Sequence, residues 1–446
     1  MEDTHSLGIF TSYENTSIDT QIASKLQIIT KTILENVFSV RSILLTGGFG
    51  KGEGSIKKIN NGKIICLRDF DLVVIVDKIP NEITIRKLYN QIYQSLNLPN
   101  PESTLFRFSN FVVDIKFMSK KDLIYPDIWF YDLKTASKLL YGEDIRNSMS
   151  CSKDEIPLSS GLRILFEKVA GLIALFPYVD SNLDKTRIEE MSEEEKNLII
   201  FECYKAIIEM CTVLCILANR YKPKYAERAR IFEDFYSTDF PEIAEVLPDL
   251  PKQVISSTNF KLKPDFSEID EDIIELWFST RNSLGIVLNF YVKKFLGTTT
   301  FDFKNFPDYT KSISRSYYKP FLNSKISIKN QPLNETFLSF ANFLFQLLTN
   351  IEYSYVVGRD LGILYLKPLT RWYMSPSLKF FAAGVLQLFS LNQDGTVEKE
   401  LLQKAMNELR YCIPVDNYTV NITNWFALRK LFQKAYNLYR GYHFVK

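Results

Sequence analysis

The chain has 446 residues, of which 24% are charged and 46% are hydrophobic. This length and composition describe a globular protein of about two or three domains and exclude a disordered or fibrous chain. Fifty-four Lys and Arg residues balance 52 Asp and Glu residues, so no overall positive field favours nucleic acid as a partner.

Cysteine and histidine usage bears on metal sites and on the cellular compartment. The six cysteines include no CxxC pair, and the two histidines are His5 and His443, so a structural zinc site is not expected. The first residues are acidic and polar, whereas a secretory signal is basic and then apolar. We therefore expect a cytoplasmic protein whose thiols are reduced.

The first 150 residues alternate helix and strand patterns. A helix is predicted over 18–38 and a buried strand over 42–46, and a glycine-rich turn follows at once. In residues 55–67, Asn61-Gly62 between two β-prone arms predicts a hairpin. The remaining predicted elements are a strand over 71–76, a helix over 81–96, paired strands over 104–108 and 111–117, and a helix over 131–140. This pattern predicts an α/β domain over residues 1–150.

Helical patterns fill the rest of the chain. Long helices are predicted over 161–176, 193–221 and 270–295, and further helices begin at 336, 378, 397 and 425. Residues 297–335 lack a clear period and are interpreted as a connector or a loosely ordered flap. We assign 151–300 to a helical domain that closes a cleft and 301–446 to a connector and C-terminal helical region. The predicted fold class is α+β, a small mixed-sheet domain followed by a large all-helical region.

Two of these helices are apolar enough to raise the question of a membrane. The stretch 336–351 is too short to span a bilayer and carries Ser, Asn, Gln and Thr, so it is interpreted as a core helix. The last helix has an apolar stripe and a basic side. We favour docking onto the protein core over peripheral membrane contact through residues 424–440.

Three acidic residues occupy strand positions. Asp69 and Asp71 lie two residues apart at the start of an apolar strand, so their side chains point to one face. Asp114 interrupts the apolar strand 111–117. If the two strands are neighbours, the three carboxylates converge. Oxygen ligands select a hard cation such as Mg²⁺ or Mn²⁺, and two such ions promote in-line phosphoryl or nucleotidyl transfer.

A candidate anion site precedes these acids. Gly47 and Gly48 directly follow a predicted strand, so their backbone N–H groups can approach phosphate oxygens closely, and Lys51 can add a charged contact. Glu53 is interpreted as a solvated turn residue.

The order of a strand, a Gly-Gly turn, an Asp-x-Asp strand and a lone-Asp strand resembles the nucleotidyltransferase superfamily. That superfamily includes DNA polymerase β, poly(A) polymerases and aminoglycoside nucleotidyltransferases. The segment Gly47-Gly-Phe-Gly-Lys-Gly-Glu53 resembles the Gly-Ser-Tyr-Ala-Arg-Gly-Glu element of its antibiotic-modifying and minimal members. Gly48 stands where many members have serine, and the stretch 49–68 is longer than usual.

The resemblance implies a role for each matched residue. It implies that Asp69 and Asp71 are metal ligands, that Asp114 is the third carboxylate and the base, and that Gly47 and Gly48 form the triphosphate cradle. In the helical part, Glu202-Cys-Tyr-Lys205 followed by Arg220-Tyr-Lys-Pro-Lys-Tyr225 resembles a Lys-then-Tyr helix that contacts nucleotide. This implies nucleotide binding by Lys205, with a solvated surface lysine as the alternative.

The sequence therefore predicts a metal-dependent nucleotidyltransferase. Such an enzyme moves a nucleoside monophosphate from a nucleoside triphosphate, here expected to be ATP, to a hydroxyl or phosphate acceptor and releases pyrophosphate, with two Mg²⁺ or Mn²⁺ ions. The acceptor is unidentified, and a small molecule or glycan precursor is favoured over nucleic acid. The alternatives are a catalytically degenerate nucleotide-binding regulatory protein, or a nucleotidylating enzyme that acts on a protein or makes a nucleotide messenger.

Overall fold

The structure, a computed structural model, describes residues 8–58, 63–67, 69–98, 113–123, 127–177, 191–266, 272–326, 335–371, 373–414 and 424–444. Its internal contacts divide the chain into two units. The first unit contains residues 1–156, 218–241 and 249–270, and the second contains 157–217, 242–248 and 271–446. The first unit is therefore discontinuous in sequence, because the chain leaves it at 156 and returns to it twice.

The strands that the described residues form lie in the first unit. In chain order they are β1 (Val40–Leu45), β2 (Ile56–Lys58), β3 (Ile64–Cys66), β4 (Phe70–Val76), β5 (Val113–Met118) and β6 (Lys138–Gly142). Four of them form a mixed sheet in the order β5-β4-β1-β6. β5 runs parallel to β4, and β1 runs antiparallel to both β4 and β6. β2 and β3 form the predicted antiparallel hairpin, whose turn at Asn61-Gly62 lies outside the described residues, as does the predicted strand 104–108.

Helices make up most of the described chain. In chain order they are α1 (Thr16–Asn36), α2 (Gly47–Lys51), α3 (Glu82–Ser95), α4 (Ile128–Ala136), α5 (Leu158–Ala174), α6 (Glu193–Leu217), α7 (Tyr225–Asp239), α8 (Pro241–Val246), α9 (Leu250–Leu262), α10 (Ile273–Leu296), α11 (Phe306–Tyr317), α12 (Lys319–Ile326), α13 (Glu335–Leu361), α14 (Pro376–Phe389), α15 (Lys399–Leu409) and α16 (Trp425–Phe444). The predicted mixed α+β class with a small sheet is confirmed.

Helices α1 and α3 cover one face of the sheet. α1 begins where the Asn15 side chain accepts hydrogen bonds from the backbone of Ser17 and Ile18, which satisfies N–H groups that a helix start leaves without partners. Its apolar stripe packs with Leu45 and the even-numbered residues of β4 in one buried cluster. Each fully buried Ile or Leu of this kind stabilises the fold by roughly 1.5–3 kcal/mol.

The opposite face of the sheet is covered by α4. Leu44, Val73 and Ile75 pack there with Phe130 and Leu133 of that helix. Because successive residues of a strand point to opposite faces, odd-numbered positions of β4 lie on this second face. Asp71 is the first odd-numbered residue of β4, so the register of the strand places it on this face at the start of the strand.

Three sequence predictions about secondary structure are wrong. The helix predicted over 131–140 ends at Ala136, and β6 follows it. Leu139 packs against the apolar residues under α4, and Leu140 packs against those under α1, on the opposite face of the sheet. Successive side chains on opposite faces are typical of a strand, and this strand pairs with β1. The connector predicted over 297–335 contains α11 and α12. α11 carries Phe306, Tyr309, Ile313 and Tyr317 at intervals of three or four residues, so its helical period is present in the sequence and the interpretation as a connector overlooked it. Helices α7, α8 and α9 were not predicted.

The second unit is helical in its described part. Helices α5, α6 and α10 pack together, and Trp277 of α10 donates from Nε1 to the Leu172 carbonyl at 3.1 Å. The Lys168 ammonium lies 2.6 Å from the Glu202 carboxylate in a buried pair. α14 is buried along almost its whole length. The apolar stripe of α16, which includes Trp425, is buried as well.

No helix among the described residues has the length and apolar character that crossing a bilayer requires. No disulfide joins the six cysteines, all of which fall within the described ranges and are buried.

Candidate metal centre

Asp69, Asp71 and Asp114 come together at one end of the sheet. The parallel register of β4 and β5 places Asp71 directly opposite Asp114, and Asp69 lies two residues before Asp71. One carboxylate oxygen from each of the three residues lies within 4.8 Å of the other two, and all three side chains are half-buried. The structure thus brings together the three acids that the sequence singles out.

These carboxylates fit a hard divalent cation. The donor set consists of oxygen atoms alone, which is the set preferred by Mg²⁺ and Mn²⁺. Oxygen ligands about 2.1 Å from one Mg²⁺ lie at most roughly 4.2 Å apart. The three carboxylate oxygens lie within 4.8 Å of one another, so small side-chain rotations would bring them within reach of one ion. The arrangement can therefore hold a shared ion.

The glycine turn lies directly against this cluster. The backbone N–H of Thr46 donates to the Asp71 carbonyl at 2.8 Å, so the turn starts beside the acids. Gly47 has φ +63°, and a Cβ atom there would lie 1.8 Å from Oδ2 of Asp71. Only glycine allows this approach. A Cβ atom on Gly48 would instead lie 3.2 Å from the Glu53 carbonyl oxygen, so of the two glycines it is Gly47 whose backbone approaches the acids.

Tyr89 of α3 is a site residue that sequence reasoning missed. Its hydroxyl oxygen accepts a hydrogen bond of 3.0 Å from the backbone N–H of Ile115, next to Asp114. Burial raises the pKa of the Tyr89 hydroxyl, and the charges of Asp114 and Asp69 raise it further. The hydroxyl therefore stays neutral beside two of the carboxylates. The signal in the sequence was the pair Tyr89 and Tyr93, four residues apart on a predicted helix.

Lys116 also shares this face of the sheet. It lies two residues beyond Asp114 on β5, so its side chain leaves the strand on the same side. Its ammonium lies 4.2 Å from the ring centre of Trp129. The face that carries the acids thus also carries an exposed cation.

Lys51 occupies a different environment from the predicted phosphate contact. Its ammonium lies 2.5 Å from the Asp132 carboxylate, and both side chains are largely buried. Burial lowers the pKa of Lys51 while Asp132 raises it, with a net increase. The Tyr221 hydroxyl also donates to Asp132 at 2.9 Å. In this structure Lys51 is an internal ion-pair partner.

Glu53 is buried, so the interpretation of a solvated turn residue is wrong. Its carboxylate accepts hydrogen bonds from the backbone N–H groups of Tyr225 at 2.6 Å and Ala226 at 3.0 Å. These groups belong to the first turn of α7, where Lys224 provides no side-chain cap. A carboxylate at a helix N-terminus is favoured by the helix dipole as well as by the hydrogen bonds. Glu53 therefore caps a helix some 170 residues away in sequence.

Tyr225 and Lys205, the two residues of the predicted Lys-then-Tyr element, lie in different units. The Tyr225 ring contacts three cations of the first unit, with Lys261, Arg228 and Lys51 at 4.1, 4.8 and 5.1 Å from the ring centre. Lys205 is half-buried on α6 in the second unit.

A scan of the chain against models of known protein families finds no match, and a comparison with curated protein sequences finds none either. The geometry of the aspartates therefore carries the functional argument.

Proposed function

We propose that the chain is a metal-dependent nucleotidyltransferase that resembles the superfamily of DNA polymerase β and the aminoglycoside nucleotidyltransferases. It would transfer a nucleoside monophosphate from a nucleoside triphosphate, with ATP expected, to a hydroxyl or phosphate acceptor. The supporting observation is the convergence of Asp69, Asp71 and Asp114 from two paired strands, with Gly47 in contact with Asp71.

The proposal assigns a role to each of these residues. Asp69, Asp71 and Asp114 would hold two Mg²⁺ or Mn²⁺ ions, which supply positive charge to the triphosphate and lower the pKa of the acceptor hydroxyl. The backbone N–H groups of Gly47 and Gly48 would contact phosphate oxygens, because the first turn of a helix leaves such donors available.

The reaction exchanges one bond at the α-phosphorus for another. The acceptor oxygen forms a bond to the α-phosphorus, and the bond from that phosphorus to the oxygen bridging to the β-phosphate breaks. Pyrophosphate leaves with the bridging oxygen. Asp114 would take the proton of an acceptor hydroxyl. Tyr89, which bonds the backbone beside Asp114, would restrain the orientation of this strand.

The balanced charge of the chain supports a small molecule or glycan precursor as the acceptor in preference to nucleic acid. We place the reaction in the cytoplasm, where ATP and Mg²⁺ are abundant.

The test is an assay of the full-length chain with Mg²⁺ or Mn²⁺ and each labelled nucleoside triphosphate. Pyrophosphate release and transfer of label are measured with a panel of hydroxyl and phosphate acceptors. We expect Asp71→Ala and Asp69→Asn to lower turnover by at least about a thousandfold, because the metal ligands contribute throughout the reaction. Asp77→Asn is the matched control, since Asp77 follows the other end of β4 and pairs with Arg41 at the surface. Its turnover should be unchanged.

Two outcomes would contradict the enzyme assignment. Binding of nucleotide and Mn²⁺ without turnover across the panel would favour the regulatory protein. Absence of Mn²⁺ binding to the wild type at millimolar concentration, measured by calorimetry, would reject the metal centre itself.

A further inference from the structure

Helix α13 presents a continuous apolar stripe to solvent. Its exposed side chains recur at intervals of three or four residues, the spacing of one helix face. They are between 39% and 69% exposed, and the stripe comprises Phe337, Phe340, Leu344, Leu348, Ile351 and Tyr355. The interpretation of 336–351 as a core helix is therefore wrong for this face.

The opposite face of α13 is buried although it is partly polar. Gln346 and Asn350 are at most 1% exposed. The Asn350 side-chain amide donates to the Met374 carbonyl at 3.0 Å, and its oxygen accepts from the Lys379 ammonium at 2.7 Å. Because these buried polar groups need their partners, they fix the rotation of the helix. The apolar stripe consequently faces outward, while the buried face carries the apolar residues Leu338, Tyr353 and Val357 beside its polar ones.

A stripe of this size needs a covering surface. Monomeric proteins seldom expose apolar patches larger than a few hundred Å². A membrane surface is the less suitable cover, because helices that lie on anionic bilayers carry Lys and Arg beside their apolar face, and α13 has no Lys or Arg along the stripe, its first basic residue being Arg359. An apolar protein surface matches the chemistry of the stripe.

The stripe is nearly symmetric about position 346. A two-fold axis there would superimpose the stripe on itself in an antiparallel helix pair, and the residues brought opposite one another would be Phe337 with Tyr355, Phe340 with Ile351, and Leu344 with Leu348. An interface related by a two-fold axis must be self-complementary in this way. We propose that α13 forms the interface of a homodimer, in which it packs antiparallel against α13 of a second copy.

The available area suits a dimer. Six side chains that expose about half of roughly 200 Å² each would bury on the order of 600 Å² per copy and 1,200 Å² in the pair. This is the lower end of the range for specific interfaces, and flanking residues add to it.

Light scattering coupled to gel filtration tests the assembly with the full chain. We expect the wild type to elute at twice the 51.9 kDa of one chain, and the double variant Leu344→Glu/Leu348→Glu to have half that mass, because four carboxylates would meet at the axis. The variant should melt no lower than the dissociated wild type, since both side chains are exposed in one copy. Ile83→Glu is the control, because Ile83 is a 79% exposed aliphatic residue of α3, and it should remain dimeric.

Cross-linking tests the antiparallel register separately. The native cysteines are buried, so the variant Phe340→Cys/Ile351→Cys introduces the exposed thiols. With an added oxidant it should form a disulfide-linked dimer. Either single substitution should not, because equivalent residues would lie about 17 Å apart along the axis.

Three results would overturn the proposal. They are a monomeric wild type at about 100 μM, a double glutamate variant that stays dimeric, and cross-linking of the single cysteine variants. A monomer that sediments with anionic vesicles would replace the dimer with a membrane contact.

Discussion

Substitution of Gly47 by alanine probes the contact between the glycine turn and the acid cluster. At φ +63° an alanine costs about 1–2 kcal/mol of stability from backbone strain. A Cβ atom 1.8 Å from Oδ2 and 2.7 Å from Cγ of Asp71 forces the carboxylate to move, which costs about 1–3 kcal/mol more. Gly47→Ala should therefore lower the free energy of unfolding by about 2–5 kcal/mol.

A double-mutant cycle separates these two contributions. In an Asp71→Ala background the carboxylate is gone and only the 3.1 Å contact to Cβ remains. Gly47→Ala should then cost about 1–2 kcal/mol, since the backbone strain alone persists. The coupling between the two substitutions should be about 1–3 kcal/mol.

The measurement is urea unfolding of the wild type, both single variants and the double variant, followed by circular dichroism. Gly48→Ala is the matched control, because its Cβ would lie 3.2 Å from the Glu53 carbonyl oxygen and its φ is not positive. If Gly47→Ala and Asp71→Ala are additive within about 0.5 kcal/mol, the glycine does not touch the acid and the proposed cradle is wrong.

Three further predictions concern buried charges. Asp132→Ala should lower the free energy of unfolding by about 3–5 kcal/mol, because it leaves the Lys51 ammonium buried without its carboxylate, whereas Asp77→Ala at the surface should leave the melting temperature nearly unchanged. Glu53→Ala should cost about 2–4 kcal/mol in urea unfolding, since two charge-assisted hydrogen bonds to a helix start are lost. The free energy of unfolding should rise by on the order of 2 kcal/mol between pH 7 and pH 9, because buried Lys379 loses its proton in the folded chain. The variant Lys379→Met should lack this rise.

The sign of the pH effect follows from the direction of the pKa shift. Burial lowers the pKa of Lys379 from its ordinary value to about 7. Above pH 7 the unfolded chain therefore holds a proton that the folded chain has released, and stability increases with pH until the unfolded lysine also loses its proton. The destabilisation is fully present below about pH 7. Equal pH profiles of stability for the wild type and Lys379→Met would contradict this reasoning.

An Asp132→Ala variant as stable as the wild type would contradict the stabilising role of the buried Lys51–Asp132 pair.

Local patterns predict the elements that build the acid cluster. The two-residue spacing of Asp69 and Asp71 and the apolar residues around Asp114 indicate strands, and strand parity determines which face the acids occupy. Pairing of β4 with β5 could be expected from this pattern, although its parallel register could not. Tyr89 was missed because its partner, the backbone beside Asp114, becomes adjacent only when α3 packs on the sheet.

The roles of Lys51 and Glu53 depend on contacts that no local pattern contains. Lys51 pairs with Asp132, and Glu53 binds the start of α7. The sequence does not show that Asp132 lies beside Lys51. A lysine in a glycine-rich segment next to acidic strands is then interpreted as a phosphate contact. The lack of information about such distant contacts also explains why the helices between 222 and 262 were not predicted. Their buried faces include Arg228 and Lys261, which a hydropathy pattern assigns to solvent.

The return of the chain to the first unit at 218–241 and 249–270 affects how this protein folds during translation. The ribosome adds about 5–20 residues per second, so the sheet of residues 40–142 emerges several seconds before α7 and α9 exist. During that interval Glu53 has no helix start to cap, and Ser55 lacks the Lys261 carbonyl to which its hydroxyl donates at 2.7 Å. A nascent chain stalled before residue 225 should therefore remain sensitive to proteolysis around the glycine turn, and protection should appear once residue 262 has left the exit tunnel.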